Sequence, residues 1–145
     1  MKLWILLSFL LVIFLAACQS ENNTDNQGTT YKVIVANPII MTHNLTDAGM
    51  DMEVKGKLTY EENNQCIFIE QADEQGKIIP IWPKGSTPTM EGNQYGVDVT
   101  DIGILLEGEE VELNGGGIEI DEIADLNQYP EACLTDAQAV VQITP

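Results

Sequence analysis

The side chains able to do chemistry in this chain are one histidine, three cysteines and 23 carboxylates. His43 is the only histidine, so any Ser-His-Asp or Cys-His catalyst would have to be built on it. It lies in a polar stretch after Pro38, and the chain contains no G-x-S-x-G nucleophile elbow. We therefore interpret His43 as a surface loop residue, with catalytic base as the alternative.

Carboxylates by themselves could act in pairs on glycosidic bonds or bind a cation. With 23 of them, some pair will always fall at a suitable separation, so the count carries no specificity. The best candidates for an exposed cation site are Asp98, Asp101, Glu107 and Glu109, but no EF-hand loop is present. We predict no catalytic residue, no metal site and no cofactor.

Three aromatic side chains could form a recognition surface. Trp82 ends an apolar run bracketed by prolines, which favours packing in the core or at a barrel mouth. The functional alternative is a stacking platform made of Trp82, Tyr60 and Tyr95, which would bind a neutral or cationic group such as a glycan or a peptide.

The N-terminal segment has one positive charge, Lys2, and an almost unbroken apolar run that ends in Leu15-Ala16-Ala17-Cys18. A short apolar core followed by small residues is typical of a secretory signal. The ending resembles the lipobox of bacterial lipoproteins, in which the cysteine is lipidated and becomes the new N-terminus. The resemblance implies lipidation of Cys18 and a protein held on its membrane, facing away from the cytoplasm.

Two alternatives remain for this segment, an ordinary secreted cleavage and an uncleaved membrane anchor. The apolar run is short for a spanning helix, which needs about 20 residues. If the cell has an outer membrane, the protein could be transferred to it, because the residue after Cys18 is Gln19 and not the aspartate of the retention signal.

We divide the chain into a signal peptide (1–17), a lipidated cysteine with a polar tether (18–30) and one domain (31–145).

The charge of the chain is strongly negative, with a formal net charge of -17 at pH 7. No basic residue follows Lys84, whereas 13 acidic residues do. Such a field repels nucleic acids and anionic headgroups and attracts cations. We predict no nucleic-acid partner, and either a cationic protein or a neutral glycan or peptide as ligand. A solvated acidic surface without a specific partner is the alternative.

Cys66 and Cys133 remain after Cys18. An even pair in an exported domain most economically forms one disulfide, and the lipobox resemblance places the domain outside the cytoplasm. A metal thiolate pair or a redox couple is the alternative, although no CxxC spacing and no neighbouring histidine supports it.

The rest of the chain favours an all-β domain, because short apolar or alternating runs recur between turn residues and strong helical periodicity is absent. Pro80 predicts an edge strand or a bulge. Residues 83–96 predict a long loop, 114–117 a glycine-rich turn and 123–128 a short helical turn. The predicted strands are 31–36, 52–60, 66–70, 77–82, 96–99, 102–106, 110–113, 118–120 and 139–143.

The strand order resembles a small five-stranded OB-type barrel with extra strands, with a β-sandwich as the alternative. Gly56 lies in the middle of strand 52–60, where a glycine lets the first barrel strand bend around a corner. A hairpin (66–70 and 77–82), a long connection, a G-x-x-V-x-L-x-G segment starting at Gly108 and a closing strand follow.

A narrower resemblance covers roughly residues 52–143. It rests on Gln65-Cys66-Ile-Phe-Ile-Glu70, Pro80-Ile-Trp-Pro-Lys-Gly85, the glycine-rich segment 108–116 and Cys133 near the end. These pieces are similar to a group of small exported bacterial domains, many of them lipoproteins, of uncharacterised function. The resemblance supports a Cys66–Cys133 bridge and carries no known activity.

Three hypotheses on function follow. The first is a non-catalytic, membrane-anchored binding or interaction domain outside the cytoplasm. The second is an acidic inhibitor of a cationic secreted enzyme, and the third is a carboxylate-based hydrolase of cell-wall glycans.

Overall fold

The computed structural model describes residues 28–45, 52–72, 76–123 and 126–145, so the lipobox prediction at Cys18 lies outside the described residues. The described part consists of ten strands, two 3-10 turns and one helix, α1 (Glu131–Asp136). The strands are β1 (Tyr31–Ile34), β2 (Ile40–His43), β3 (Met52–Glu61), β4 (Cys66–Glu70), β5 (Lys77–Pro83), β6 (Thr87–Glu91), β7 (Gln94–Val99), β8 (Gly103–Leu106), β9 (Glu110–Ile118) and β10 (Ala139–Thr144).

Five strands close into a barrel in the order β3-β4-β5-β10-β9, with β9 returning to β3. The β5–β10 pair is parallel, and the other four pairs are antiparallel. This confirms the predicted all-β class and the OB-like barrel with extra strands, and it sets the sandwich aside. Closure matters because it leaves the barrel strands without an open edge.

Gly56 lies where β3 turns from β4 to β9. It pairs with Val111 of β9, and a side chain there would overlap the backbone of Glu70 on β4. Only glycine lets the two backbones approach so closely, so β3 can curve from one neighbour to the other. The predicted role of this glycine as a barrel corner is confirmed.

The extra strands β1 and β2 form an antiparallel hairpin beside the barrel. β2 runs parallel to residues 81–83 of β5, and Ile39 bridges to Cys66 at the start of β4. The hairpin therefore fills the space that opens where β4 and β5 diverge.

The prediction that Pro80 marks an edge strand was wrong. β5 has hydrogen-bonded neighbours on both sides. On one side it pairs with β10, and on the other side it pairs first with β4 and then with β2. Pro80 lies between the residues paired with β4 (77–78) and those paired with β2 (81–83). A residue without an N–H group is tolerated there because one hydrogen-bond ladder ends and another begins.

The loop predicted for residues 83–96 was also wrong, because these residues form β6 and the first part of β7. With β8 they make a separate three-stranded sheet in the order β6-β7-β8. Pro88 lies in β6, an edge strand of this sheet, where a missing N–H group costs no ladder bond. Val97 and Val99 from the same sheet pack into the barrel core.

The turn predicted at residues 114–117 is instead the second half of β9, which runs without interruption to Ile118. Gly115 pairs with Met52 of β3 and Ile143 of β10, and a side chain there would overlap the carbonyl of Gln142. Gly115 allows three backbones to pack closely, a requirement that a local pattern cannot distinguish from a turn.

Two apolar clusters stabilise the fold, one on each face of the sheet around β4 and β5. Alternation along the strands sends one set of side chains into the barrel and the other outward. The inner cluster includes Leu58, Ile69, Ile78, Trp82 and Val141. The outer cluster includes Met41, Phe68, Ile79, Ile81 and Val140, together with residues of the β9–β10 connection.

Candidate functional site

Trp82 points into the barrel and is 0% exposed. It therefore does not belong to a surface platform, and the packing alternative describes its position. Its indole Nε1 is buried and finds no hydrogen-bond partner among the described residues. The side chain lies on the same face of the sheet as the other inner-cluster residues because Ile78, Pro80 and Trp82 alternate with Ile79 and Ile81.

Tyr60 and Tyr95 meet at the surface, as the platform hypothesis requires, but they pack on each other. Their ring centroids are 4.2 Å apart with planes tilted by 32°. The Tyr60 hydroxyl donates to Asn37 Oδ1 at 2.6 Å, and burial raises the pKa of Tyr60. Because each ring packs one face on the other, the area of the pair on which a ligand could stack is reduced.

The outer face of β4 and β5 corresponds to the face with which OB barrels bind their ligands. Here the described residues 119–123 and 126–138, which we call the covering segment, lie over it. Ile123, Tyr129 and Cys133 of this segment are buried against Phe68 and Ile81. Burial strongly raises the pKa of the Tyr129 hydroxyl. The usual ligand face of the barrel is thus filled by the protein's own chain.

A disulfide between Cys66 and Cys133 fixes the covering segment to the barrel, with 5.9 Å between the two Cα atoms. Cys66 opens β4, and Cys133 lies on the buried side of α1. The predicted bridge is confirmed. It also has a local structural role that the separation of the two cysteines in the sequence did not reveal. It holds the helix of the covering segment against the strand that it covers.

The solvent side of the covering segment carries only acidic charge. Its described carboxylates are exposed, and the segment contains no lysine or arginine. Ile120, 40% exposed, lies among them. The described carboxylates of this surface are Glu119, Asp121, Glu122, Glu131 and Asp136.

His43 is not a surface loop residue; that prediction was wrong. It ends β2 and is 1% exposed. The N–H of Leu45 donates to Nδ1 at 3.2 Å, so the proton of the neutral ring is on Nε2, which donates to the Ile143 carbonyl at 2.7 Å. Both ring nitrogens are therefore engaged, and burial lowers the pKa of His43.

This buried histidine predicts a pH-dependent stability. Because its folded-state pKa lies below the usual 6.5, the unfolded chain takes up the proton first as pH falls. The contribution of neutral His43 to the free energy of unfolding is therefore present above about pH 6.5. Below that pH it declines, by at most about 1.4 kcal/mol per pH unit. In the His43→Gln variant, the glutamine amide can still donate to the Ile143 carbonyl but has no group that titrates. The free energy of unfolding in urea should therefore fall less for this variant than for the original chain between pH 7.5 and pH 5.5. Parallel pH curves for the two proteins would contradict this assignment.

Two of the four carboxylates proposed for a cation site accept hydrogen bonds from the backbone instead. Glu107 Oε1 accepts from the Tyr95 N–H at 3.4 Å, and Glu109 Oε2 accepts from the Leu106 N–H at 2.9 Å. Asp98 and Asp101 are exposed. Among the described residues, no group of three or more His, Cys, Asp or Glu side chains is placed to hold a metal ion.

One pair of carboxylates shares a cavity. Glu70 and Glu110 line a space of about 260 Å³ together with Lys57. In the strand register Lys57 lies between them, opposite Glu70 on one side and Glu110 on the other. An inverting glycosidase keeps room between its two carboxylates for water and sugar. Here the lysine side chain projects from the strand between them.

The chain matches no family model, no curated protein and no solved structure. The helices found in residues 28–45, 52–72, 76–123 and 126–145 are all too short or too polar to cross a membrane.

Proposed function

We propose that the protein is a non-catalytic binding domain, anchored through a lipid on Cys18 and facing away from the cytoplasm, that binds a cationic protein partner. The single observation that carries this proposal is the covering segment. It fills the ligand face of the barrel and presents exposed carboxylates without a basic residue. A disulfide supports the proposed location, since such bonds persist in oxidising compartments.

The acidic surface favours a positively charged partner for two reasons. Complementary charge accelerates encounter and selects the partner, while the negative charge of this segment rejects nucleic acids and anionic surfaces at this face. The covering segment is also attached to the barrel by a disulfide and by the buried side chains of Ile123 and Tyr129. A rigid surface loses less conformational freedom on binding than a flexible one.

Inhibition of a cationic secreted enzyme is the specific form of this function that the same surface favours. The hydrolase hypothesis has less support, because Lys57 lies between Glu70 and Glu110, the two carboxylates that share a cavity. A neutral glycan on Tyr60 and Tyr95 is the remaining alternative, and the stacking of these rings on each other reduces the area available to it.

The partner surface is tested with Glu119→Gln/Asp121→Asn/Glu122→Gln. The full chain in non-ionic detergent is titrated with a defined basic secreted enzyme, such as a lysozyme, and both binding and enzyme activity are measured. We expect the triple variant to bind about tenfold more weakly than the original chain, and binding to fall as salt rises. The matched control is Glu91→Gln/Asp98→Asn/Asp101→Asn, which removes the same charge from the β6–β8 sheet.

Equal weakening in both triple variants would mean that net charge alone attracts the enzyme, and it would refute the covering segment as the partner surface. Release of product from peptidoglycan by the protein alone, abolished by Glu70→Gln, would favour the hydrolase. The anchor is tested separately in cells: Cys18→Ala should move the protein from the membrane fraction to the soluble one.

A further inference from the structure

A second surface of the molecule has the opposite chemistry to the covering segment. A cavity of about 420 Å³ opens beside the β1–β2 hairpin and the end of β5. We call it the lysine pocket; it is lined by Thr30, Lys32, Thr42, His43, Asn44 and Lys84, together with the backbone at Gly28. Two of the few basic residues of a strongly acidic chain thus line one cavity, which contains no described carboxylate.

The fold brings the two lysines together although they are distant in sequence. Lys32 pairs with Thr42 across the β1–β2 hairpin, and Thr42 pairs with Trp82 of β5. Lys84 follows directly after β5, where the Thr100 hydroxyl donates to its carbonyl at 3.1 Å. Strand order therefore places Lys32 and Lys84 on opposite sides of the end of β2.

The other three lysines of the described chain are placed among carboxylates. Lys55 is bonded to Glu53 at 2.9 Å and to Glu112 at 3.3 Å, and Lys77 is bonded to Glu61. Lys57 lies between two glutamates in the strand register. Within the described residues, no carboxylate lies within 4 Å of the Lys32 or Lys84 ammonium group.

The polar groups at the wall of the pocket are mostly donors. The backbone N–H of Thr30 donates to Asn44 Oδ1 at 2.8 Å, so the remaining polar group of this lining side chain is the NH₂ donor. His43 offers no acceptor, because Nδ1 already accepts from Leu45 and Nε2 donates to Ile143. Two ammonium groups and an amide donor around one cavity repel a cation and attract an anion.

We infer that the lysine pocket binds a phosphate group. A phosphate carries up to two negative charges, which match the two lysines, and its tetrahedral oxygens can accept from donors on several sides of a cavity. A carboxylate group, by contrast, carries one negative charge, and its two oxygens lie in one plane. The phosphate group comes either from a soluble phosphate, which carries up to two charges, or from the phosphodiester of a lipid headgroup, which carries one. Both present tetrahedral phosphate oxygens to the donors of the pocket. This site is independent of the proposed cationic partner.

The test measures thermal unfolding of the full chain in non-ionic detergent, with each ligand compared with sodium chloride at equal ionic strength. Inorganic phosphate represents the soluble source, and glycerophosphoglycerol, a soluble phosphodiester, represents the headgroup of a phospholipid. We expect one of the two to raise the Tm by about 5 °C at a concentration roughly tenfold above its dissociation constant. The ligand that raises the Tm identifies the source of the phosphate group.

Lys32→Gln/Lys84→Gln should lose the Tm increase, and each single variant should weaken binding about tenfold. The matched control, Lys55→Gln/Lys57→Gln, removes the same charge from β3 and should keep the increase. The inference is overturned if neither ligand raises the Tm above the chloride value, if sodium acetate raises it equally, or if both double variants lose the increase alike.

Discussion

Replacing both Cys66 and Cys133 by alanine is expected to lower the free energy of unfolding by about 4 kcal/mol. The bridge closes a long loop, with a sequence separation of 67 residues, and its loss restores conformational entropy to the unfolded chain. The double variant avoids an unpaired thiol. Urea unfolding of the oxidised original chain, of the chain reduced with dithiothreitol and of the double variant gives the comparison.

The same variant should also loosen the covering segment, because the bridge joins α1 to β4 beneath it. Opening of this segment would expose Phe68, Ile79 and Ile81, so binding of a hydrophobic dye and faster amide exchange in residues 126–138 should accompany the loss of stability. A double variant within 1 kcal/mol of the original chain, with no change in exchange, would show that packing alone holds the segment.

Trp82→Ala is expected to cost about 3–5 kcal/mol, because it removes the largest fully buried side chain of the barrel. Trp82→Phe should cost much less, about 1–2 kcal/mol, since phenylalanine refills most of the space and removes the indole Nε1 that has no partner among the described residues. Both are measured by chemical denaturation at pH 7.5, where His43 is neutral in folded and unfolded chains.

Tyr95→Ala is the matched control for the aromatic residues. Tyr95 is half-buried and stacks on Tyr60, so we expect a loss of about 1 kcal/mol. A loss for Trp82→Ala as small as that for Tyr95→Ala would place the tryptophan at a surface and revive the platform hypothesis. A large difference would establish Trp82 as a packing residue.

Much of the barrel could be predicted from the sequence because its strands carry local signals. The segment 52–60 alternates apolar and polar residues, and the structure gives the strand Met52–Glu61, in which exposed and buried positions alternate from Glu53 to Leu58. The segment 66–70 was placed without error. Gly56 was assigned correctly because a glycine inside a strong strand pattern usually marks a bend or a close approach of two backbones.

The failures share one cause, which is that the decisive contact comes from a distant part of the chain. His43 looks like a polar loop residue until β10 supplies the Ile143 carbonyl. Gly115 looks like a turn residue until β3 and β10 pair on either side of it. β2 is short and was missed because its pairing with β5 is parallel and remote in sequence.

The candidate sites also differ in whether a local signal in the sequence predicts them. The two cysteines could be paired from their number and the predicted export of the chain, and the structure confirms the bridge. The covering segment has a signal that could have been found, since Ile123, Leu126, Tyr129 and Cys133 recur among acidic residues at spacings that bury one side. The lysine pocket has no such signal, because Lys32 and Lys84 belong to separate strands.

By itself the sequence determined most of the barrel strands, the barrel corner at Gly56, the disulfide partners and the negative charge of the surface, because each depends on local pattern or on composition. Only the tertiary structure decided which face is covered, that His43 is buried and that two lysines line one cavity. These depend on strand order and register, which join residues far apart in the chain, and no local pattern encodes that pairing.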